Sequence, residues 1–227
     1  MHTETRHVQL INTPRDYFVE MPISNGVKDK LTHAGLYGVE NSVGTLEKLY
    51  DINIDYYLRV NFSGFEAIID TLGGVDVYSE YDFTVDPIKH YTEGYNHLTG
   101  LEALAFVRER HVFASGDNQR GRNQMEMLQA LIKKVCSIEL LENYNKVMDE
   151  LTDMYRTNIP DELLKDLVFN QILDGTEWTI DTYSVTGSSG SEKTYSAPNS
   201  AAYVMIPNDN DVEQAKSLIE SVLRETP

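Results

Sequence analysis

Basic residues are scarce in this chain of 227 residues: 19 lysines and arginines face 36 aspartates and glutamates, for a net charge of −17. Nucleic-acid binding draws much of its affinity from Lys and Arg side chains that neutralise phosphates. Most of so acidic a surface would repel a duplex. The charge therefore disfavours a nucleic-acid partner and transcriptional regulation by direct DNA contact, but it leaves room for a small phosphorylated ligand in a local basic pocket.

Cysteine and long apolar runs are also scarce. Cys136 is the only cysteine, so no internal disulfide can form. No apolar run approaches the length of about eighteen residues that a membrane-spanning helix needs. The chain contains no Gly-x-Ser-x-Gly, no His-Glu-x-x-His and no P-loop, which disfavours a serine hydrolase, a zinc peptidase and an NTPase. We expect a soluble globular protein, and we predict no metal site among these residues.

Strand-forming and helix-forming segments alternate along the chain. Helices are predicted for residues 34–50, 63–72, 99–105, 119–137, 138–155 (one helix or two), 161–173 and 209–223. Strands are predicted for residues 7–13, 53–61, 75–78, 177–185 and 202–206. We interpret residues 82–98 as a surface excursion with short strands and residues 186–191 as a glycine-serine loop. This alternation favours one α/β domain, residues 1–227, with a sheet covered on both faces.

Arginine, in contrast, is concentrated in one stretch. Four of the nine arginines lie within fifteen positions, and these are Arg108, Arg110, Arg120 and Arg122. Arginine carries five donors in a rigid fork that fits phosphate oxygens, and it keeps its charge. An acidic chain that gathers its fixed cations in this way is predicted to bind an anion there.

The spacing within this stretch suggests two elements that meet at a pocket. We interpret Arg108 and Arg110 as alternate strand positions that share a face, and Arg120 and Gln124 as neighbours on one face of a helix. Such a pocket favours bidentate contacts to phosphate. The alternative is a surface salt-bridge network with the nearby acids, which are Glu102, Glu109 and Asp117.

Three further residues are candidates for the same site. Asp117 stands just ahead of a helical pattern and is either its N-terminal cap or an acid–base group. Arg15 directly follows a predicted strand, where open α/β sheets commonly line a ligand crevice, or it makes a surface ion pair with Asp16 in a proline turn. Lys30 stands at the entry to the first long helix, where an anion is favoured. His33 nearby is interpreted as a structural hydrogen-bonding residue rather than a metal ligand.

Seven segments, taken in order, carry a family resemblance. They are Thr-Pro-Arg-Asp from Thr13, Asp-Lys-Leu-Thr-His-Ala from Asp29, Ile-Asp-Tyr-Tyr from Ile54, Leu-Gly-Gly-Val-Asp-Val from Leu72, Leu-Thr-Gly-Leu-Glu-Ala-Leu from Leu98, Val-Arg-Glu-Arg from Val107 and Gly-Asp-x-x-Arg-Gly-Arg-Asn-Gln from Gly116. In this order they closely resemble the LytR-CpsA-Psr (LCP) family of bacterial cell-envelope proteins. The resemblance spans essentially the whole chain, and the ordered set is far more specific than any one segment.

The resemblance implies both a fold and an activity. The fold is a three-layer α/β/α sandwich with a central mixed β-sheet. The activity is that of a phosphotransferase, which moves a polyprenyl-pyrophosphate-linked glycopolymer, either a capsular polysaccharide or a teichoic acid, onto peptidoglycan during cell-wall biogenesis. The implied location is the extracellular face of the cell membrane, or the cell wall, of a Gram-positive bacterium.

The family pattern also implies roles for individual residues. The positions around the pyrophosphate are matched by Arg15, Lys30, Arg108, Arg110, Arg120 and Gln124. Of these, Arg15, Arg108 and Arg120 are expected to act in catalysis, because fixed cations stabilise charge on a transferring phosphoryl group. Asp117 is expected to assist the attacking acceptor hydroxyl, and the lipid tail is expected between the sheet and the helices.

One departure from the family pattern concerns its upstream segments. Family members carry a membrane helix and a strand with Gly-x-Asp and Arg-Ser-Asp motifs, whose aspartates are associated with Mg²⁺. These segments are not among the 227 residues, so we expect a truncated fragment of a membrane-anchored parent, a poor catalyst by itself, whose intact form uses Mg²⁺. The alternative function is a non-catalytic protein that binds polyprenyl pyrophosphate or glycan, with a regulatory or scaffolding role in envelope biogenesis.

Overall fold

The computed structural model describes residues 1–114, 116–136, 144–151 and 153–226. The chain divides into two compact units. Unit 1 consists of Met1–Asp55 and Thr179–Pro227, and unit 2 of Tyr56–Trp178. Helices and strands occur in both units, so the predicted α/β class is confirmed. That residues 1–227 form a single domain stays a prediction.

Twelve strands and eight α-helices lie within the described ranges. The strands are β1 (His7–Asn12), β2 (Phe18–Glu20), β3 (Lys28–Lys30), β4 (Leu58–Val60), β5 (Val75–Ser79), β6 (Phe83–Val85), β7 (Lys89–Tyr91), β8 (Gly94–Leu98), β9 (Tyr155–Thr157), β10 (Thr179–Ser184), β11 (Gly187–Lys193) and β12 (Ala201–Pro207). The helices are α1 (Leu31–Ala34), α2 (Val39–Tyr50), α3 (Phe62–Thr71), α4 (Gly100–Arg108), α5 (Asp117–Val135), α6 (Tyr144–Leu151), α7 (Asp161–Asp174) and α8 (Asp209–Leu223). None of these helices is both long enough and apolar enough to cross a membrane.

Unit 1 contains one parallel and two antiparallel strand pairs. β1 runs parallel to β10, while β11 pairs with β12 and β2 with β3 in antiparallel fashion. Parallel pairing needs a long crossover connection, and here the whole of unit 2 lies between β1 and β10 in the sequence. A cluster of buried apolar side chains in this unit consists of Tyr17, Val19, Tyr50, Val185, Val212 and Ala215.

The glycine-serine stretch of unit 1 is a strand, so the prediction of a loop for residues 186–191 is wrong. Gly187 and Gly190 both lie against Ile206 of β12, and a Cβ at Gly187 would overlap the Ile206 carbonyl. Small residues therefore allow the backbones of β11 and β12 to lie close together. Composition alone does not distinguish this use of glycine in a strand from a flexible loop. Other predictions in this unit hold: the strand near residues 202–206 and the last helix, capped by Asn208, are confirmed.

Unit 2 consists of antiparallel strand pairs packed against helices. β5 pairs with β8, β6 with β7 and β4 with β9. Helix α5 contacts both β5 and α4, and α4 contacts α3. The buried apolar cluster of this unit consists of Ile69, Val75, Val77, Phe83, Tyr91, Leu98, Ala103, Phe106 and Met127.

The segment 82–98 contributes to this core. Its short strands are confirmed, but its interpretation as a surface excursion is wrong for Phe83, Tyr91 and Leu98, which are buried. Phe83 and Tyr91 stack with ring centroids 4.5 Å apart, and the Tyr91 hydroxyl donates to the Glu102 carbonyl at 2.7 Å. In these short strands, buried side chains are separated by one or more polar side chains that face outward. The polar residues therefore make the segment look exposed in the sequence.

Other boundaries differ from the sequence prediction in both units. Of the strand predicted at residues 53–61, only Leu58–Val60 is a strand. The helix predicted from residue 34 begins at Val39, after the short helix α1 and a 3₁₀ turn, Gly35–Tyr37. The helix predicted for residues 161–173 is confirmed and ends at Gly175. Of the segment 138–155, residues 144–151 are helical as predicted, and residues 138–143 and 152 lie outside the described residues.

The close crossing of α3 and α4 supplies a stability test. A Cβ at Gly100 would overlap the backbone carbonyl of Glu66, so Gly100→Ala must push the two helices apart. We expect a loss of about 2–3 kcal/mol, the scale of overpacking, in urea unfolding followed by circular dichroism. Gly35→Ala is the control, because its Cβ would make an ordinary contact 3.7 Å from Ser42 Oγ. Equal effects of the two substitutions would contradict the close-contact explanation.

Candidate functional site

Arg108 is the last residue of helix α4, so its interpretation as a strand position is wrong. The apolar residues before it carry a helical pattern, with Ala103, Leu104 and Phe106 buried on one side of the helix. Arg110 follows the helix end and does not share a strand face with Arg108. The side chain of Arg108 is exposed, and its guanidinium carbon lies 4.5 Å from the centroid of the Phe62 ring, a cation–π contact that orients it.

Asp117 is the centre of the arginine cluster. Its Oδ2 lies 2.8 Å from a terminal nitrogen of Arg120, and its Oδ1 lies 3.5 Å from one of Arg110. The Arg120 side chain is 15% exposed and that of Arg110 49%, so Arg120 is the better shielded of the two cations. Two of the predicted site arginines thus come together, and they do so around an oxyanion.

The helix-cap interpretation of Asp117 is wrong. The N-cap position of α5 is Gly116, with φ at 48°, a conformation that glycine adopts without strain. Asp117 is the first helical residue, where the helix dipole favours a carboxylate. Because its oxygens are turned to Arg110 and Arg120 rather than to backbone amides, the carboxylate is tied to the arginine cluster.

Of the three acids in the alternative salt-bridge network, only Asp117 forms ion pairs with the clustered arginines. Glu102 closes a capping box with Thr99 at the start of α4 and pairs with Lys89 at 3.0 Å. Glu109 accepts from the backbone amides that follow it, at Arg110 and Val112. Two of the three acids are therefore used in local structure, which leaves the cluster with more cationic than anionic side chains.

Gln124 lies on α5 one turn after Arg120, as predicted. Its Nε2 donates to the carbonyl oxygen of Val107 at 3.2 Å. The amide nitrogen of Gln124 therefore binds the end of α4, next to Arg108.

Lys30 and Arg15 belong to unit 1 and lie on adjacent segments. The Arg15 carbonyl accepts from the amide of Thr32 at 2.8 Å, and the Tyr17 carbonyl accepts from that of Leu31 at 2.9 Å. Lys30 is the last residue of β3. Its Nζ lies 3.1 Å from Asp16 Oδ1 and 5.6 Å from the centroid of the Tyr203 ring. Asp16 is thus a partner of Lys30, while the Arg15 side chain is exposed.

Asp29, just before Lys30, is a buried residue of this region to which no sequence pattern gave a role. Its Oδ1 accepts from the Lys30 amide at 2.7 Å and lies 2.8 Å from His33 Nδ1, while its Oδ2 accepts from the Ser196 amide at 2.7 Å. Burial opposes ionisation, but the hydrogen bonds from Ser196, His33 and the Lys30 amide outweigh it and hold the pKa of Asp29 below its usual range. The carboxylate therefore fixes the turn that presents Lys30.

Ser196, His33 and Asp29 do not form a nucleophilic triad. The Ser196 hydroxyl lies 2.9 Å from His33 Nδ1, the same ring nitrogen that meets Asp29. A relay needs its serine and its carboxylate on opposite ring nitrogens. The interpretation of His33 as a structural hydrogen-bonding residue is confirmed.

The predicted site residues fall into one set per unit. Unit 2 joins Arg110, Arg120 and Asp117 directly and places Gln124 beside the end of the helix that carries Arg108. Unit 1 holds Lys30 and Arg15 on neighbouring segments. That the two sets converge on one pyrophosphate stays a prediction. Among the described residues, no three His, Cys, Asp or Glu side chains are grouped so that they could hold a metal ion.

The described geometry is that of mixed α/β units, one of which brings two arginines to one carboxylate. A family model, LytR_cpsA_psr, matches residues 1–219. The chain therefore belongs to the LytR-CpsA-Psr family, and the resemblance seen in the sequence motifs is confirmed.

Three similar proteins illustrate the family. The chain is 36% identical over 171 residues to "Polyisoprenyl-teichoic acid--peptidoglycan teichoic acid transferase TagU" of Bacillus cereus (strain AH820), a match that covers 75% of this chain and 56% of that protein. The crystal structure of B. subtilis TagV is similar with a TM-score of 0.80 and 30% identity, over 99% of this chain and 87% of that one. A structure of TagT bound to LI-WTA has a TM-score of 0.74 and 26% identity, over 98% and 81% of the two chains. The chain thus spans little more than half the length of the TagU relative.

Asp29 supplies a test of pH-dependent stability. The pKa of Asp29 is lower in the folded protein than in the unfolded chain, where it is about 3.9. The ionised carboxylate therefore adds to the free energy of unfolding above about pH 4. This contribution is lost as the pH falls through the folded-state pKa. We expect Asp29→Asn to cost about 1–3 kcal/mol at neutral pH, because an NH₂ group then faces backbone and ring donors. In urea unfolding from pH 7 to pH 3, the gap to the wild type should narrow below about pH 4.

Asp51→Asn is the control for this substitution. Asp51 is exposed and has φ at 53°, a conformation that asparagine also adopts. A stability gap for Asp29→Asn that stays constant, or widens, as the pH falls would contradict the role of the buried carboxylate.

Proposed function

We propose that this chain is the phosphotransferase domain of a protein that moves a polyprenyl-pyrophosphate-linked glycopolymer onto peptidoglycan. Family membership and the names of the relatives TagU and TagV support the proposal, as does the structure of TagT with LI-WTA. The observation that carries it is the approach of Arg110 and Arg120 to the Asp117 carboxylate, at 3.5 and 2.8 Å. A cluster that already holds one oxyanion offers the donors that a diphosphate needs.

The chemistry follows from where charge develops in phosphoryl transfer. An acceptor sugar hydroxyl attacks the phosphorus that carries the glycopolymer, and a new P–O bond forms. The P–O bond to the lipid phosphate breaks, and polyprenyl monophosphate leaves. Guanidinium groups of Arg108, Arg110 and Arg120 stabilise the negative charge on the transferring group and on the leaving group, which is the main catalytic contribution in such reactions.

Asp117 takes the role of accepting the hydroxyl proton. A carboxylate that stands among the phosphate-binding arginines is close to the attacking group when the diphosphate is bound, and proton acceptance in the transition state contributes about 10²–10⁴-fold to such rates. The same carboxylate pairs with Arg110 and Arg120 in the structure. When the diphosphate takes over both arginines, Asp117 is released to serve the acceptor.

Arg15 and Lys30 of unit 1 are also proposed to bind the pyrophosphate, with Arg15 sharing the catalytic role given to Arg108 and Arg120, and Gln124 is a further proposed pyrophosphate contact. The lipid tail makes a membrane surface the place of reaction, with membrane attachment of the protein and action on the extracellular side, in the wall of a Gram-positive cell. Teichoic acid is the cargo that the relatives' names support, and capsular polysaccharide is the other polymer of the proposal.

Mg²⁺ is the proposed cofactor of the intact family member. It would supply further positive charge for the diphosphate. The described residues contain no three-residue group of His, Cys, Asp or Glu for a metal, so the side chains present do not by themselves fit such a site. The roles given to the arginines and to Asp117 do not involve the metal.

Two arginine substitutions test the binding part of the proposal. Arg108→Ala and Arg120→Ala should each weaken the binding of farnesyl pyrophosphate by about 1–3 kcal/mol, the scale of a lost charge-assisted hydrogen bond. Titration calorimetry with the 227-residue chain measures this. Arg156→Ala, an exposed arginine of β9 in the same unit, should leave the affinity unchanged. Unchanged affinity in both Arg108→Ala and Arg120→Ala rejects the site.

Asp117→Asn separates binding from catalysis. Removal of the competing carboxylate frees Arg110 and Arg120, so farnesyl pyrophosphate should bind as tightly as before or more tightly. Transfer of labelled glycopolymer from its lipid carrier to peptidoglycan, measured with the complete protein, should fall by about 10²-fold or more. Wild-type transfer by Asp117→Asn would exclude the proton-accepting role. A complete protein that binds the carrier but never transfers glycan, with Mg²⁺ present, would instead be a non-catalytic binder.

A further inference from the structure

At the end of helix α4, the carbonyl groups of Phe106 and Val107 have no hydrogen-bond donor within the helix. The amide of Glu109 still donates to the Ala105 carbonyl at 3.0 Å, which completes the last helical bond. The next amide, that of Arg110, turns to the Glu109 carboxylate at 2.8 Å. The carbonyls of Phe106 and Val107, which face the terminus of the helix, must therefore be satisfied from outside it.

Helix α5 supplies both donors. Asn123 Nδ2 donates to the Phe106 carbonyl at 3.3 Å, and Gln124 Nε2 donates to the Val107 carbonyl at 3.2 Å. Two adjacent amide side chains of α5 thus close the last turn of α4, immediately before Arg108. Both bonds lie in the turn from which Arg108 leaves the helix.

Asn123 is itself held by a directional chain of hydrogen bonds. Its Oδ1 accepts from Gln119 Nε2 at 3.0 Å, and the same Gln119 nitrogen donates to Glu80 Oε2 at 3.0 Å. The Oε1 of Gln119 accepts from Arg122, whose Nε also donates to Glu80 Oε2 at 3.2 Å. Because Asn123 Oδ1 accepts from Gln119, the NH₂ group of Asn123 is turned toward the Phe106 carbonyl.

The two amide side chains in this series of hydrogen bonds are buried. Gln119 is 1% exposed and Asn123 3%, so water does not replace a lost partner. The anchor, Glu80, directly follows β5, against which α5 packs. These hydrogen bonds therefore run from the end of a strand, along one turn of α5, to the end of α4.

We propose that Asn123, oriented by Gln119 and Glu80, is a positioning residue for Arg108. This role rests on the proposed function, in which Arg108 binds the pyrophosphate. Asn123 touches no substrate; it fixes the last turn of α4 and so places the backbone of Arg108, while the Phe62 ring orients the guanidinium. Asparagine suits the position because it accepts from Gln119 and donates to Phe106 at once, which neither aspartate nor alanine does.

A double-mutant cycle tests the proposal with inorganic pyrophosphate as the probe and the 227-residue chain as the protein. Asn123→Asp keeps the shape and the acceptor but sets a carboxylate oxygen against the Phe106 carbonyl. It should weaken pyrophosphate binding about tenfold, as expected when a charged group is displaced from its ligand. In the Arg108→Ala background the same substitution should have little further effect, because the residue on which it acts is gone.

Asn118→Asp is the matched control, because it makes the same chemical and charge change on an exposed position of the same helix. It should weaken binding less than Asn123→Asp, and its effect should add to that of Arg108→Ala. Unfolding curves and circular dichroism establish that each variant is folded. If Asn123→Asp does not fold, Asn123→Ala replaces it in the cycle, since alanine also leaves the Phe106 carbonyl without its donor.

The outcomes separate the two proposals. If the wild type does not bind pyrophosphate, the proposed function fails, and the positioning role fails with it. If the wild type binds, and the Asn123 variant binds equally well, equals Asn118→Asp in its effect, or adds fully to Arg108→Ala, the positioning role alone is overturned. A loss of binding that disappears in the Arg108→Ala background supports it.

Discussion

A helix that ends inside a folded unit leaves carbonyl groups that must find donors, and in this protein that requirement shapes the candidate site. Helix α4 ends at Arg108, and its last free carbonyls are bound by Asn123 and Gln124 from α5. The same contacts that satisfy the backbone therefore hold the turn from which, in the proposed positioning role, Arg108 leaves the helix. Stability and site geometry come from the same bonds.

Charge is organised locally in a chain with a net charge of −17. Lys30 pairs with Asp16, while Arg110 and Arg120 share Asp117. Each of these cations is near a carboxylate that keeps it in place and partly neutralises it. Under the proposed function, a diphosphate therefore exchanges with a carboxylate. Such an exchange favours ligands with more negative charge and more oxygen atoms than one carboxylate.

Much of the fold was predictable, and so were the residue types of the site. Helix α5, helix α8 with its Asn208 cap, and strands β1 and β12 follow from hydrophobic period and capping residues. The arginines of the stretch were predicted to meet at one pocket, with Asp117 either a helix cap or an acid–base group, and the structure brings Arg110 and Arg120 to Asp117. The errors arose where one pattern serves two structures: the short apolar run before Arg108 fits a strand or a buried helix, and the glycine-serine stretch of β11 fits a loop or a closely packed strand.

Other features were beyond any reading of local pattern. Asp29 is a full hydrogen-bond acceptor because Ser196, 167 positions away in sequence, donates to it. Glu80 binds Gln119 across 39 positions, and no periodicity links the two. Phe83 and Tyr91 are core residues because β6 and β7 fold back onto α4 rather than because their segment is apolar.

By itself the sequence determined the family, the α/β class and the identity of the cations, because motif order, period and charge are properties of the chain as written. Only the tertiary structure decided which acid each cation meets, that Asp117 faces two arginines rather than capping a helix, and that Asn123 closes the end of α4. The physical reason is that hydrogen bonds and ion pairs act over about 3 Å. Which groups come within that distance is fixed by packing between segments far apart in the sequence.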